Sequence, residues 1–148
     1  MFQFYGHTHT DEFQIFYDDN NYPVNVAYVA PSVTPYHGLN PSYRLYTVSV
    51  TGEILDTRTF VMDLAEANKH PDRDPHYYQL YSAKKAYNME VWCSFKSCNA
   101  NEIIKDLSPL SWHKLVNRLQ TDKTFFNFFY KHYNSGSVKM PCDPNCRR

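Results

Sequence analysis

Two imidazoles stand one residue apart near the start of this chain, in the run FQFYGHTHTDEF (residues 2–13): His7 and His9, with threonines beside them and Asp11-Glu12 after. In extended backbone the side chains of residues i and i+2 lie on one side, roughly 6–7 Å apart. Two such rings can meet at one metal ion, or serve two neighbouring ions about 3.5–4 Å apart. Gly6, just ahead of them, allows a turn or a close approach to a ligand. The threonine hydroxyls can accept N–H bonds from metal-bound rings, but they are common surface groups too. By itself a His-x-His pair on a strand end is a weak signal.

Five other histidines are present: His37, His70, His76, His113 and His132. The last four fall on predicted helices or linkers and read as surface or packing residues. His37 adjoins Tyr36 in an irregular loop and also reads as a surface residue. The cysteines are Cys93 and Cys98 in CSFKSC, and Cys142 and Cys146 in CDPNC. Neither spacing is that of a zinc ribbon. Three pairings are open to four cysteines. The local pairs Cys93–Cys98 and Cys142–Cys146 are the simplest and suit an oxidising compartment, while four free thiols would suit a reducing one. Each local pair closes a short loop, which makes its entropic stabilisation modest, roughly 2 kcal/mol.

At 148 residues the chain has the size of one domain. Its formal net charge of zero leaves no electrostatic footprint for nucleic acid. No run approaches the length of a transmembrane helix, and no basic-then-apolar leader is visible. Aromatics make up 17% of the residues, enough to build a tyrosine-rich core and to leave rings at the surface, where a lipid boundary favours them.

The elements that must position these groups come in two blocks. Strands are expected at 1–5; at 12–18, with Phe13, Ile15 and Tyr17 on one face; and at 24–31, with Val24, Val26, Tyr28 and Ala30 on one side. DDNNYP (18–23) is a turn cluster and 32–42 an irregular Pro/Gly loop. The segments 43–50 and 53–63 flank Thr51-Gly52 and form a hairpin. A short helical turn opens 63–75, with Asp74 as a helix-start residue. Tyr77, Leu80, Tyr81 and Tyr87 have helical spacing, so 75–89 is predicted helical. In 108–120, Ser108 caps a helix with Trp112, Leu115, Val116 and Leu119 in a stripe, and Thr121 caps another over 121–133. Strands first and helices after predict an α+β fold.

GHTHTDEF, VAPSVTPYHGLNPSYRLY, WHKLVNRL and a terminal CxxxC together resemble the C-terminal part of the acid sphingomyelinase family, within the calcineurin-like metallophosphoesterases. The similarity runs in order from Phe4 to Cys146. It implies the C-terminal strands of a metallophosphoesterase β-sandwich in residues 1–63, an incomplete catalytic domain, followed by a small helical C-terminal subdomain in 64–148. By the resemblance His7 and His9 each bind one ion of a two-zinc centre, Tyr36 lines the substrate pocket, and Cys142 and Cys146 form a disulfide. A Cys93–Cys98 disulfide rests on spacing alone.

The implied activity is a phosphoric diester hydrolysis that splits sphingomyelin at a membrane surface into ceramide and phosphocholine, in a secreted or lysosomal setting. The alternatives are a sphingomyelinase-like phosphodiesterase acting on nucleotides or other diesters, and a non-catalytic truncated product. The family's DxH, GD and GNH motifs do not precede GHTH here; the one DxH, Asp74-Pro75-His76, follows it. Two zincs need roughly six to eight ligand positions, so two histidines make a partial site. The chain is therefore expected to be a fragment, inactive alone, whose general acid and remaining ligands lie in a missing N-terminal part of the same enzyme.

Overall fold

The computed structural model describes residues 3–89 and 107–137. Cys93, Cys98, Cys142 and Cys146, with both disulfides assigned to them, lie outside the described residues. The strands are β1 (Gln3–Tyr5), β2 (Glu12–Tyr17), β3 (Pro23–Val29), β4 (Ser42–Val48), β5 (Ile54–Val61) and β6 (Tyr78–Ser82). The helices are α1 (Leu64–Ala67), α2 (Ala83–Ala86), α3 (Pro109–Thr121) and α4 (Lys123–Tyr133). The class is α+β, as the order of patterns predicts.

In the first sheet β3 is central, with β1 parallel to it on one side and β2 antiparallel on the other. Asp18 builds the β2–β3 turn: its carboxylate accepts from the backbone N–H groups of Asn20 (3.0 Å) and Tyr22 (2.7 Å). The predicted one-sided burial of β3 needs correction. Val26, Ala27, Tyr28 and Val29 are all buried, whereas Val24 is exposed. A strand with neighbours on both edges and layers on both faces has no polar side to show. Alternation in β2 holds for Phe13 and Ile15, which pack on the core, but a bulge between Phe16 and Tyr17 breaks it.

The second sheet is the antiparallel meander β4-β5-β6. The expected β4–β5 hairpin forms, with Gly52 supplying a left-handed turn residue (φ 87°). Asp63 caps the predicted short helix α1. The helix predicted over 75–89 is instead strand β6 followed by the single turn α2, and no helix starts at Asp74. Tyrosine-rich sequence suits a strand as well as a helix, and β5 offers a backbone edge that β6 satisfies. Ser108 caps α3 as predicted, but the cap of α4 is Asp122; Thr121 is the last residue of α3.

The core joins sheets and helices through rings. Tyr46 of β4 meets Phe4 of β1 (4.8 Å between centroids) and Tyr28 of β3 (5.8 Å). Trp112 of α3 packs on Phe13 (4.3 Å) and donates through Nε1 to the Tyr28 hydroxyl (3.2 Å). Tyr28 in turn donates to the carbonyl of Leu107 (3.4 Å), so a fully buried phenol keeps its polar end paired.

His132 of α4 lies inside this core. It stacks on Tyr81 of β6 (4.0 Å, 5° between planes), meets Phe128 of its own helix, and shares a hydrogen bond between Nδ1 and the Tyr87 hydroxyl (3.0 Å). Burial, with the charge of Lys131 adding to it, lowers its pKa from 6.5 to about 4. Burial likewise raises the Tyr87 phenol well above its usual range.

Between pH 6.5 and 4 the unfolded chain therefore binds a proton at His132 that the folded chain refuses. The stability this residue contributes is complete above pH 6.5 and drains as pH falls toward 4, by about 3 kcal/mol. Urea unfolding across that range is expected to show this slope at wild type, and His132→Phe is expected to flatten it.

Candidate functional site

Topology brings the two suspect loops together. Tyr5 and Val29 are partners at the carboxyl ends of the parallel strands β1 and β3. Segment 6–11 leaves β1 there, passes over the end of β3, and enters β2 at Glu12, which also pairs with Val29. Ala30 donates its N–H to the Tyr5 carbonyl (2.9 Å), and β3 then releases loop 31–41 from the same end. Loops leaving the carboxyl ends of adjacent parallel strands are free to gather around a ligand.

The two histidines of this crossing loop do not share a face by strand alternation. Both are left-handed, His7 at φ 85° and His9 at φ 66°, so the extended geometry expected from His-x-His is replaced by a loop conformation. Left-handed backbone is uncommon for residues with a side chain, although histidine tolerates it better than most. Gly6 is not among the left-handed positions, and a Cβ there would meet nothing within 4 Å. The bend falls on the imidazole-bearing residues themselves.

His7 is exposed and His9 half-buried. The Nδ1 of His9 is buried and has no hydrogen-bond partner among the described residues. A buried, unpaired ring nitrogen is costly and suits a site that an added ligand completes.

Loop 31–41 delivers Tyr36 to His9. The Tyr36 ring lies edge-on to the His9 ring at 5.8 Å, and the His37 ring meets the other residues of this group through Tyr36, at 4.0 Å. A single turn over Tyr36–Gly38 forms the loop's tip, with Leu39 donating its N–H to the Tyr36 carbonyl (3.3 Å).

Asn40 holds the base of the loop. Its backbone N–H donates to Ser137 Oγ (2.8 Å), its side-chain amide donates to the Ser135 carbonyl (3.2 Å), and its Oδ1 accepts from the Leu64 N–H (3.2 Å). One amide thus ties the loop to the end of α4 and the start of α1.

The crossing loop is anchored by a residue to which sequence reasoning assigned no role. Asp11 is buried, two positions beyond His9. Its carboxylate pairs with the buried guanidinium of Arg44 on β4, and accepts from Thr59 of β5 (2.7 Å) and Tyr81 of β6 (2.7 Å). Its backbone N–H donates to the Tyr133 carbonyl of α4 (3.0 Å). A signal was present: Arg44 sits between Tyr43 and Leu45 in a strand, on the face that Tyr46 buries, and a buried arginine requires a carboxylate or its equivalent.

Of the other histidines, two contact neighbouring side chains, one is exposed and one is buried. His70 lies 3.6 Å from Glu66, and His113 links Tyr17 of β2 (2.9 Å) to Asn117 of α3 (3.1 Å). His76 is exposed and His132 is in the core. Among the described residues no three His, Cys, Asp or Glu side chains gather as a metal-binding group. No described helix is long and apolar enough to cross a membrane.

No protein-family model matches the sequence. Individual proteins do. The sphingomyelin phosphodiesterase of Bos taurus is 39% identical over 98% of this chain, and that of Homo sapiens 37% identical over 98%. A cyclic GMP-AMP phosphodiesterase of Rattus norvegicus is 31% identical over 98%. The chain spans 22% of the length of the first two proteins and 31% of the third.

The Asp11 anchor makes a quantitative demand. Arg44→Leu, which strands a buried carboxylate, is expected to lower unfolding free energy by about 3–5 kcal/mol in urea titration. Combined with Asp11→Leu the loss is expected to be smaller than the sum of the two single losses, because the second change removes the unpaired charge.

Proposed function

Given that the chain is homologous to the sphingomyelin phosphodiesterases over 98% of its length, we propose that it carries one wall of a two-zinc site for phosphodiester hydrolysis, with sphingomyelin as substrate. On this reading the chain corresponds to a C-terminal part of such an enzyme, its strands belong to a metallophosphoesterase sandwich, and the remaining ligands and the general acid come from sequence outside these 148 residues. The setting is secreted or lysosomal. The observation that carries the proposal is the meeting of His9, with its unpaired buried Nδ1, and Tyr36 at the carboxyl ends of β1 and β3.

His7 and His9 would hold zinc. Their neutral nitrogens are the donor type that zinc takes, and the vacant hydrogen-bonding capacity of His9 Nδ1 fits such a role. When bound, a zinc pair supplies charge opposite the phosphoryl oxygens and acidifies a water. The chain's own residues do the positioning. Asp11, locked to Arg44, sets where the histidine loop ends. Asn40 sets the base of the facing loop, and Tyr36 lines the space beside His9, where a phosphodiester would lie. The sphingomyelin phosphodiesterases at 39% and 37% identity support a lipid diester, and the cyclic GMP-AMP phosphodiesterase at 31% gives a nucleotide diester as the second reading.

Equilibrium dialysis of the 148-residue chain against zinc is expected to show weak binding that the double substitution His7→Ala/His9→Ala abolishes; binding unaltered in that variant would refute the assignment. In a chain extended to the relatives' length, Tyr36→Phe is expected to lower catalytic efficiency on sphingomyelin micelles while zinc content stays at the wild-type level. Faster turnover of a cyclic dinucleotide than of sphingomyelin would move the substrate to the nucleotide class.

A further inference from the structure

Three histidines of this chain have left-handed backbone, His7, His9 and His37, and the last two have their rings against Tyr36. His37 (φ 56°) and Gly38 (φ 70°) are consecutive left-handed residues at the tip of loop 31–41. The usual form of a one-turn helix keeps successive side chains apart around its axis. Here the reversed sense at His37 instead accompanies a close ring contact between neighbours, 4.0 Å between the centroids of Tyr36 and His37 at 63°. Tyr36 is thus flanked by His37 on its own loop and by His9 on the crossing loop (5.8 Å, 74°).

Tyr36 needs such support. It is 58% exposed, and no hydrogen bond of its hydroxyl anchors it among the contacts described above. An exposed tyrosine held by nothing would sample several rotamers, each at little cost. Edge-on aromatic contacts on two sides select one of them.

We propose that His37 is a positioning residue: its ring, folded back by the left-handed turn, holds the Tyr36 ring against His9. The assignment deepens the reading of Tyr36 as a wall of the phosphodiester site and rests on it for its consequence, but the ring geometry stands independently. His37 acts through Tyr36 and not as a metal ligand.

The test is aromatic NMR on the labelled 148-residue chain. Cross-relaxation between the Tyr36 and His9 rings is expected at wild type. His37→Asn keeps a residue that accepts left-handed backbone but removes the ring, and is expected to reduce the population of the Tyr36–His9 contact roughly two- to tenfold. His37→Phe, which keeps a ring, is expected to retain it; thermal unfolding of His37→Asn is expected to match wild type, and that of His37→Phe to fall slightly, because phenylalanine accepts left-handed backbone less readily than histidine. Persistence of the contact in His37→Asn, or its loss in a folded His37→Phe, would overturn the proposal.

Zinc titration keeps the two readings apart. If zinc fails to shift the His7 and His9 resonances of wild type, the metal assignment falls while the ring contact is still scored. If zinc binding is lost in His37→Asn, His37 is a ligand and the positioning role is wrong.

Discussion

The arrangement depends on one buried carboxylate. Asp11 sits at the end of the histidine-bearing loop, and burying its charge is tolerable only because β4, β5 and β6 each direct a donor at it, through Arg44, Thr59 and Tyr81. Those three strands form one sheet, while the loop belongs to the other. The ion pair therefore fixes the second sheet relative to the crossing loop. Once Tyr5 is paired in β1 and Asp11 is locked, five residues must cover the span between them, and two of the five take left-handed backbone. Such residues cost of order 1–2 kcal/mol each, a cost that anchors at both ends can impose.

Tyr81 couples this anchor to the core. Its hydroxyl donates to Asp11, while its ring stacks on His132. One side chain thus shares its two ends between a charged network and an apolar layer, as amphipathic rings are suited to do. His132, kept neutral by burial, also contacts Tyr87 and Phe128, so the packing of α4 and α2 bears on the same residue that holds the loop. Helix packing and loop geometry are linked through a short chain of named contacts.

Much of the fold was legible in local pattern. Asp18 and its neighbours read as a turn, Thr51-Gly52 as a hairpin, Ser108 as a cap, and Trp112 and Leu115 as the buried stripe of α3; each is decided by residues within one turn or one strand of itself. Errors arose where a distant partner decided. Residues 78–82 became a strand because β5 offers an edge, and Val24 lost its place in the buried face because the layers cover the other end of β3. Asp122 capped α4 in place of its neighbour Thr121, a difference of one position that helix propensity does not resolve.

The candidate site divides in the same way. Sequence by itself determined which chemical groups are available: two imidazoles in GHTH, a tyrosine in a proline-rich loop, and the kinship that those motifs carry. Only the tertiary structure decided that Tyr36 meets His9, that the histidines turn left-handed instead of lying along a strand, and that Asp11 is an anchor and not a surface acid. The reason is physical. Residue type sets what a side chain can donate, accept or bury, whereas proximity depends on β1 and β3 running parallel and on an arginine 33 positions away meeting a carboxylate, and no local pattern encodes either.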